Sequence, residues 1–323
     1  MQIYIFPLLV IGGTVGHALT IAVLIRPRMR HTSIYFYLLA LSCSDTVVLW
    51  VSCFKAWVRM VTGFELLHVS GAACKSVTFL YLTSTYLSSW LIVCMTVDRF
   101  IAVWFPFKVA SICSVRHARI STALLLSVAL FSNFHVFWTF RIEKNRCTYD
   151  HESISMAQVF EYLKLAAYCF VPFVIVLVLN AGIIHKLKWG AAMLRRRKES
   201  NCVHDRIVCL LLTVSFAWFL LTLPVSLLGF VQFLHNSNIA RSVVFILMYS
   251  NHSINFYLYC LTGKKFRHEL KAVFRCRKVK RQRFSFHNGG PIETTKSMTK
   301  TDYVENIPLT LSRNARPRQD EMD

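Results

Sequence analysis

Seven stretches of this chain are nearly free of Asp, Glu, Lys and Arg: residues 3–25, 34–54 (interrupted by Asp45), 76–97, 120–140, 165–184, 207–234 and 242–263. A helix rises about 1.5 Å per residue, so about 20 residues cross the hydrocarbon core of a bilayer. Each run has that length, and nothing comparable follows Gly263. Barrel strands are about 10 residues long with strict alternation, and these runs are too long and too uniformly apolar for that. They predict an all-α chain, a bundle of seven transmembrane helices.

Charge patterning gives the topology. The chain is 55% apolar and only 16% charged, yet 37 Lys and Arg stand against 16 Asp and Glu. A soluble domain carries about 25% charged residues. Apolar runs with basic connectors reconcile the figures and exclude both a disordered chain and an ordinary soluble enzyme. Lys and Arg collect on the cytoplasmic side of membrane proteins. With the N-terminus extracellular and the C-terminus cytoplasmic, 29 of the 37 fall inside. The eight outside are Lys55, Arg59, Lys75, Arg141, Lys144, Arg146, Lys164 and Arg241. The expectation is a multi-pass protein of the plasma membrane. No basic residue precedes the first run and Arg26, Arg28 and Arg30 follow it, which suits an anchor and not a cleaved signal peptide. Few residues would precede the membrane. Residues 1–276 form the expected membrane domain, and 277–323 a disordered cytoplasmic tail.

Ionisable side chains at membrane depth cost roughly 2.5–3.5 kcal/mol on insertion scales. Asp45 lies midway along the second run. It is either a hydrogen-bonding acid between helices or a cation or proton site, with Ser88, Asn251 and Asn255 as partners; sodium is the candidate ion. Asn251 and Asn255 are four apart and share a helix face. Asp98-Arg99 follows the third run and precedes Phe100-Ile101-Ala102-Val103, so the pair is partly embedded. It is a surface ion pair or a switch in which Arg99 leaves Asp98. Pro172 and Pro224 lie inside the fifth and sixth runs and remove backbone hydrogen bonds there; Pro224 is a candidate hinge.

Of the 11 cysteines, Cys43, Cys53, Cys94, Cys169, Cys209 and Cys260 lie in membrane runs and read as packing residues. Cys74 and Cys147 fall on the outer, oxidising side. A disulfide between them would pin the loop after the fourth helix across the bundle mouth. Beyond Gly263, Phe266, Leu270, Val273 and Phe274 are spaced i, i+4, i+7, i+8 among basic residues, which predicts an amphipathic interfacial helix. Cys276 at its end is a palmitoylation candidate or a chance tail cysteine.

These motifs, in this order, resemble the rhodopsin-family (class A) G-protein-coupled receptors over roughly residues 8–276. Gly16-His17-Ala18-Leu19 stands at Gly-Asn-x-Leu, and Leu41-Ser42-Cys43-Ser44-Asp45 at Leu-Ala-x-x-Asp. Cys74 precedes Arg99 by 25 residues, Asp98-Arg99-Phe100 stands at Asp-Arg-Tyr, and Pro106 follows. Pro172 and Pro224 match helix prolines, and Asn255-Phe256-Tyr257-Leu258-Tyr259 resembles Asn-Pro-x-x-Tyr. The departures are His17 for asparagine, Phe256 for proline, Asn180 for the fifth-helix tyrosine, no tryptophan in the fourth helix, and Leu221-Thr222-Leu223-Pro224 without the Cys-Trp-x-Pro tryptophan.

The resemblance implies a receptor that signals by helix rearrangement to a heterotrimeric G protein, not an enzyme. Tyr81 stands where amine receptors carry an aspartate, and Tyr249 where opsins carry the retinal lysine. Pro172 followed by Asn180, together with residues 251–256, resembles invertebrate neuropeptide receptors of the FMRFamide kind. An extracellular neuropeptide is the implied ligand, with Lys55, Tyr81, Gln232 and Tyr249 as candidate contacts. Asp98, Arg99, Pro224, Asn255 and Tyr259 are the implied coupling and activation residues. Basic residues at 195–198 and 264–283 would face membrane lipid, and Thr294, Thr295, Ser297, Thr299, Thr301 and Ser312 suit phosphorylation and arrestin binding. No cofactor beyond the candidate sodium and no nucleic-acid partner is expected. The rival readings are a transporter or channel, and a signalling-deficient receptor-like partner protein.

Overall fold

The apolar runs become helices whose ends are set by capping groups as well as by where charge begins. The computed structural model describes residues 1–143, 146–149, 163, 166–193, 202–227 and 237–284. Gln232, residues 195–198 and the tail beyond 284 therefore lie outside the described residues. The chain divides into two compact units, Met1–Arg277 and Lys278–Asp323, and the bundle is the first.

The bundle helices are α1 (Gln2–Leu24), α2 (Ser33–Thr62), α3 (Gly71–Trp104), α4 (Val115–Asn133), α5 (Val171–Met193), α6 (Cys202–Leu227) and α7, in two pieces, Asn238–Ser253 and Asn255–Thr262. A helix α8 (Lys264–Phe284) follows. The N-termini of α3, α4 and α7 are capped by Ser70, Ser114 and Ser237, whose hydroxyls accept from the backbone N–H three residues on. α2 runs past its apolar stretch to take in Lys55 and Arg59, and ends on Gly63 at φ 71°, the left-handed conformation that glycine tolerates. Among the described residues, five helices are long and apolar enough to cross a membrane, and Leu211–Val225 of α6 is a shorter apolar helix.

Three features were not predicted. α2 carries a wider π-helical stretch at Leu49–Phe54, just beyond Asp45. Such stretches often mark functional sites. α7 breaks at Ile254 although Phe256 stands in place of a proline. The expected loop after α4 is an antiparallel hairpin, β1 (Phe140–Glu143) with β2 (Arg146–Tyr149), pairing Ile142 with Cys147. The Cys74–Cys147 disulfide, Cα–Cα 5.6 Å, ties this hairpin to the first turn of α3.

α3 is the central helix and packs on α2, α4, α5 and α6; α1 closes against α2 and α7. The α1–α7 seam depends on small residues, as close helix pairs in membranes do. A side chain at Gly16 would meet Phe256 Cβ at 2.8 Å, and one at Gly13 would meet Ser253 Cβ at 3.0 Å. On the far side, Gly182 of α5 leaves room for Phe100, and its carbonyl accepts from Trp104 Nε1 at 3.3 Å. Leu124, Val128 and Phe131 of α4 and Val174, Leu177 and Val178 of α5 stay exposed. Apolar surface on this scale suits a bilayer.

α8 is docked on the bundle by charge. Glu269 is buried and takes Arg26 at 2.8 Å and Arg28 at 3.5 Å, both from just after α1. Arg267 donates to the carbonyls of Cys260 and Leu261, capping α7. Phe266 is buried against Tyr259 and Phe256. Burial alone would raise the Glu269 carboxyl, but His268, Arg26 and Arg28 outweigh it and hold the carboxyl below its ordinary value.

Candidate functional site

The buried acid of α2 organises the middle of the bundle. Asp45 is 1% exposed, and both of its oxygens are occupied. Oδ1 accepts from Ser88 Oγ of α3 at 2.8 Å and from His252 Nδ1 of α7 at 2.7 Å. Oδ2 accepts from Asn255 Nδ2 at 2.7 Å. His252 and Asn255 flank the break at Ile254, so one carboxylate holds both pieces of α7. His17 of α1 donates from Nε2 to the His252 carbonyl at 2.8 Å and ties a fourth helix to the cluster.

The structure thus brings Ser88 and Asn255 onto Asp45. It does not bring Asn251, which is buried but is not among the partners of Asp45. The residue missing from the sequence-derived set is His252. The signal was present: His17 and His252 are ionisable groups inside uncharged runs, the same anomaly that singled out Asp45.

At the α8 end, Asp98 and Arg99 are both buried, with Arg99 Nη2 3.3 Å from Asp98 Oδ2. Ser33 of α2 donates to the same oxygen at 3.0 Å. Arg99 Nε has no hydrogen-bond partner among the described residues, so the guanidinium is held on one side only. Cys113 Sγ, in the connector after α3, lies 3.5 Å from the Asp98 carbonyl; burial, and then the Asp98 charge, push its thiol up to about 11. Tyr259 is fully buried and its hydroxyl is unpartnered among the described residues. Pro224 lies inside α6, where Trp218 is buried and its carbonyl accepts from Thr222 Oγ at 2.6 Å. That tryptophan sits six residues before the proline, and not two as in Cys-Trp-x-Pro. Asn180 faces an apolar cavity between α5 and α6 with Trp218 and Phe216. Cys276 lies on α8, its side chain outside the described residues.

At the disulfide end, a cavity of about 520 Å³ opens between α1, α2 and α7. Its lining includes Lys55, Arg59, Glu65, Arg241, Phe245 and Tyr249. Tyr249 shares a 2.8 Å hydrogen bond with Ser52, from the π-helical stretch of α2. Arg59 is paired with Glu65 at 3.1 Å, whereas Lys55 has no ion pair among the described residues. Tyr81 lies instead in a second cavity of about 290 Å³ with Tyr86, Asn133 and Tyr168. Its hydroxyl is 4.0 Å from Met248 Sδ, one residue before Tyr249. The four candidate ligand contacts therefore do not share one cavity: Lys55 and Tyr249 line the first, Tyr81 the second, and Gln232 lies outside the described residues.

Comparison with known proteins agrees with this arrangement. Residues 16–259 match the family model described as 7 transmembrane receptor (rhodopsin family). The chain is 23% identical to the C-C chemokine receptor type 1 of Homo sapiens, over 84% of this chain and 78% of that one. It is 24% identical to galanin receptor 2a of Danio rerio, over 91% of this chain and 83% of that one. It is also 24% identical to the CX3C chemokine receptor 1 of Mus musculus, over 81% and 75%.

Proposed function

The chain belongs to the rhodopsin family of seven-transmembrane receptors, and from that premise we propose that it is a receptor for an extracellular peptide that carries an anionic group. As a member of this family it is a multi-pass membrane protein and a G-protein-coupled receptor, not an enzyme. The relatives named for chemokines and galanin support a peptide ligand. The FMRFamide-type resemblance rests on residues of α5 and α7 alone, so the peptide class, and not that subgroup, is the reading we adopt. Two independent arguments support an extracellular disulfide end: the distribution of Lys and Arg, and the need of Cys74–Cys147 for an oxidising compartment.

The observation that carries the ligand chemistry is the lining of the cavity at that end. Among the described residues, three basic groups, Lys55, Arg59 and Arg241, face it with one acid, Glu65, and that acid is already paired with Arg59. A half-buried ammonium with no close ion pair among the described residues, sharing the one acid with Arg59, favours a carboxylate or another anion from the ligand. Binding there would bridge α1, α2 and α7, which together with α3 build the Asp45 cluster, and shift the population toward a state in which Arg99 leaves Asp98. In this reading the inner ends of the helices and α8 contact the G protein; arrestin and anionic lipid are further partners of that face.

The test is a screen of synthetic peptide pools, each made with a free C-terminal carboxylate and with a carboxamide, on cells expressing the receptor, read by calcium and cyclic AMP. An active peptide should lose potency by about 10–100-fold on Lys55→Gln or Arg241→Gln, the equivalent of one charge-assisted hydrogen bond. If amidation abolishes the response, the C-terminus is the anion; if it does not, an acidic side chain is. An active peptide with unchanged potency on both variants would overturn the anionic reading.

A further inference from the structure

A buried acid in the middle of a helical bundle invites a cation, and the groups around Asp45 do not fit one. A hard cation takes oxygen lone pairs directed at it from several sides. Here both oxygens of the Asp45 carboxylate already accept, from Ser88 Oγ at 2.8 Å, His252 Nδ1 at 2.7 Å and Asn255 Nδ2 at 2.7 Å, and two of these three donors are nitrogens that turn hydrogen toward the acid and offer a cation no lone pair. With the carboxylate ionised, it can only accept, so Nδ1 of His252 carries the proton. Asn251 is not on the acid.

We propose that the His252 imidazole stands in the place of a cation on Asp45, so that the resting bundle is held by an internal side chain and is indifferent to sodium. The geometry goes further than occupancy. His252 is 2% exposed, His17 is 1% exposed, and His17 fixes the His252 backbone through its carbonyl. The residue is thereby held from α1 through its backbone and from α2 through its ring, and Asn255 follows on the other side of the break at Ile254. A diffusible ion can be gained or lost with the conditions outside the cell, whereas this counter-group is covalently part of α7. Its release requires movement of α7 itself, so the contact couples the acid directly to the helix that lines the ligand cavity through Tyr249 and Phe245. None of this depends on which ligand the cavity takes.

The experiment uses the purified full-length receptor in lipid nanodiscs, without ligand. Thermal melting is followed in sodium chloride and in choline chloride at equal ionic strength. The wild type is expected to melt alike in both salts. His252→Ser removes the imidazole and leaves a hydroxyl, and should acquire a sodium-specific rise in Tm on the order of a few degrees. Adding Asp45→Asn should cancel that rise. His252→Ala opens the same space and takes its place in the series if His252→Ser does not reach the membrane. A sodium-specific rise in the wild type would overturn the proposal. So would a folded His252 variant that gains none, because then the histidine is not what keeps the ion out.

Discussion

Phe256 packs its Cβ 2.8 Å from where a side chain on Gly16 would begin. Each residue permits the other. Phe256 replaces a proline of the family pattern, and the bulk it adds to α7 is received by the bare backbone of α1. Alanine in a helix gains about 1 kcal/mol over glycine by propensity, but overpacking costs about 1–3 kcal/mol. Gly16→Ala is therefore expected to lower stability on balance. Phe256→Gly, which removes the Cβ as well as the ring, should lose packing on its own, yet relieve part of the Gly16→Ala cost in the double variant. Melting temperatures of the four proteins give the coupling directly; strict additivity would argue that the two residues do not meet.

Asp98 holds Arg99 at 3.3 Å and also accepts from Ser33, so it ties α3 to α2 at the α8 end. Asp98→Asn should weaken the hold on Arg99 by the order of one charged hydrogen bond, about 1.5–3 kcal/mol, and raise ligand-free nucleotide exchange on the G protein at least several-fold. Arg99→Ala should remove agonist-dependent exchange while surface expression persists. Uptake of a non-hydrolysable GTP analogue by membranes reads both. Full agonist response in Arg99→Ala would refute the role given to this residue.

The Cys74–Cys147 bond closes a loop of 73 residues and fastens the hairpin to α3. Cys74→Ser, Cys147→Ser and the double variant should each lose about 2–5 kcal/mol, or fail to reach the cell surface. The double variant should be no worse than either single one, since each already removes the whole bond. Surface labelling and thermal melting measure this.

Glu269 fastens α8 to the segment just after α1 and stays ionised through the usual range, because its partners hold its carboxyl below the ordinary value. A depressed carboxyl stabilises the fold fully above its unfolded value of about 4.3, and that stability is lost as pH falls through the folded value. Glu269→Gln should accordingly melt lower than the wild type at neutral pH, with the gap closing in acid below about pH 4. A gap that persists unchanged at low pH would assign the effect to packing and not to charge.

Much of the architecture was legible because membrane insertion is a local test. A run of about 20 uncharged residues is apolar whatever its neighbours do. The cysteine pair was readable for the same reason, since both residues lie at ends on one predicted side. The π-helical stretch of α2 and the break in α7 were not readable. Nothing in Leu49–Phe54 or at Ile254 departs from helix-forming sequence, and both distortions sit beside Asp45 or the residues bound to it.

The site divides along the same line. Sequence alone determined that Asp45 is costly at membrane depth and must find partners. It also determined that Asp98 and Arg99 are adjacent, and that basic residues outnumber acids. Only the tertiary structure decided that His252, 207 residues away, and not Asn251, meets Asp45, and that, among the described residues, three bases and one acid gather around a single cavity. The physical reason is that one helical step turns a side chain by about 100°. Which of two neighbouring polar residues faces an acid therefore depends on small rotations and breaks in the helix, and those are fixed by packing between helices.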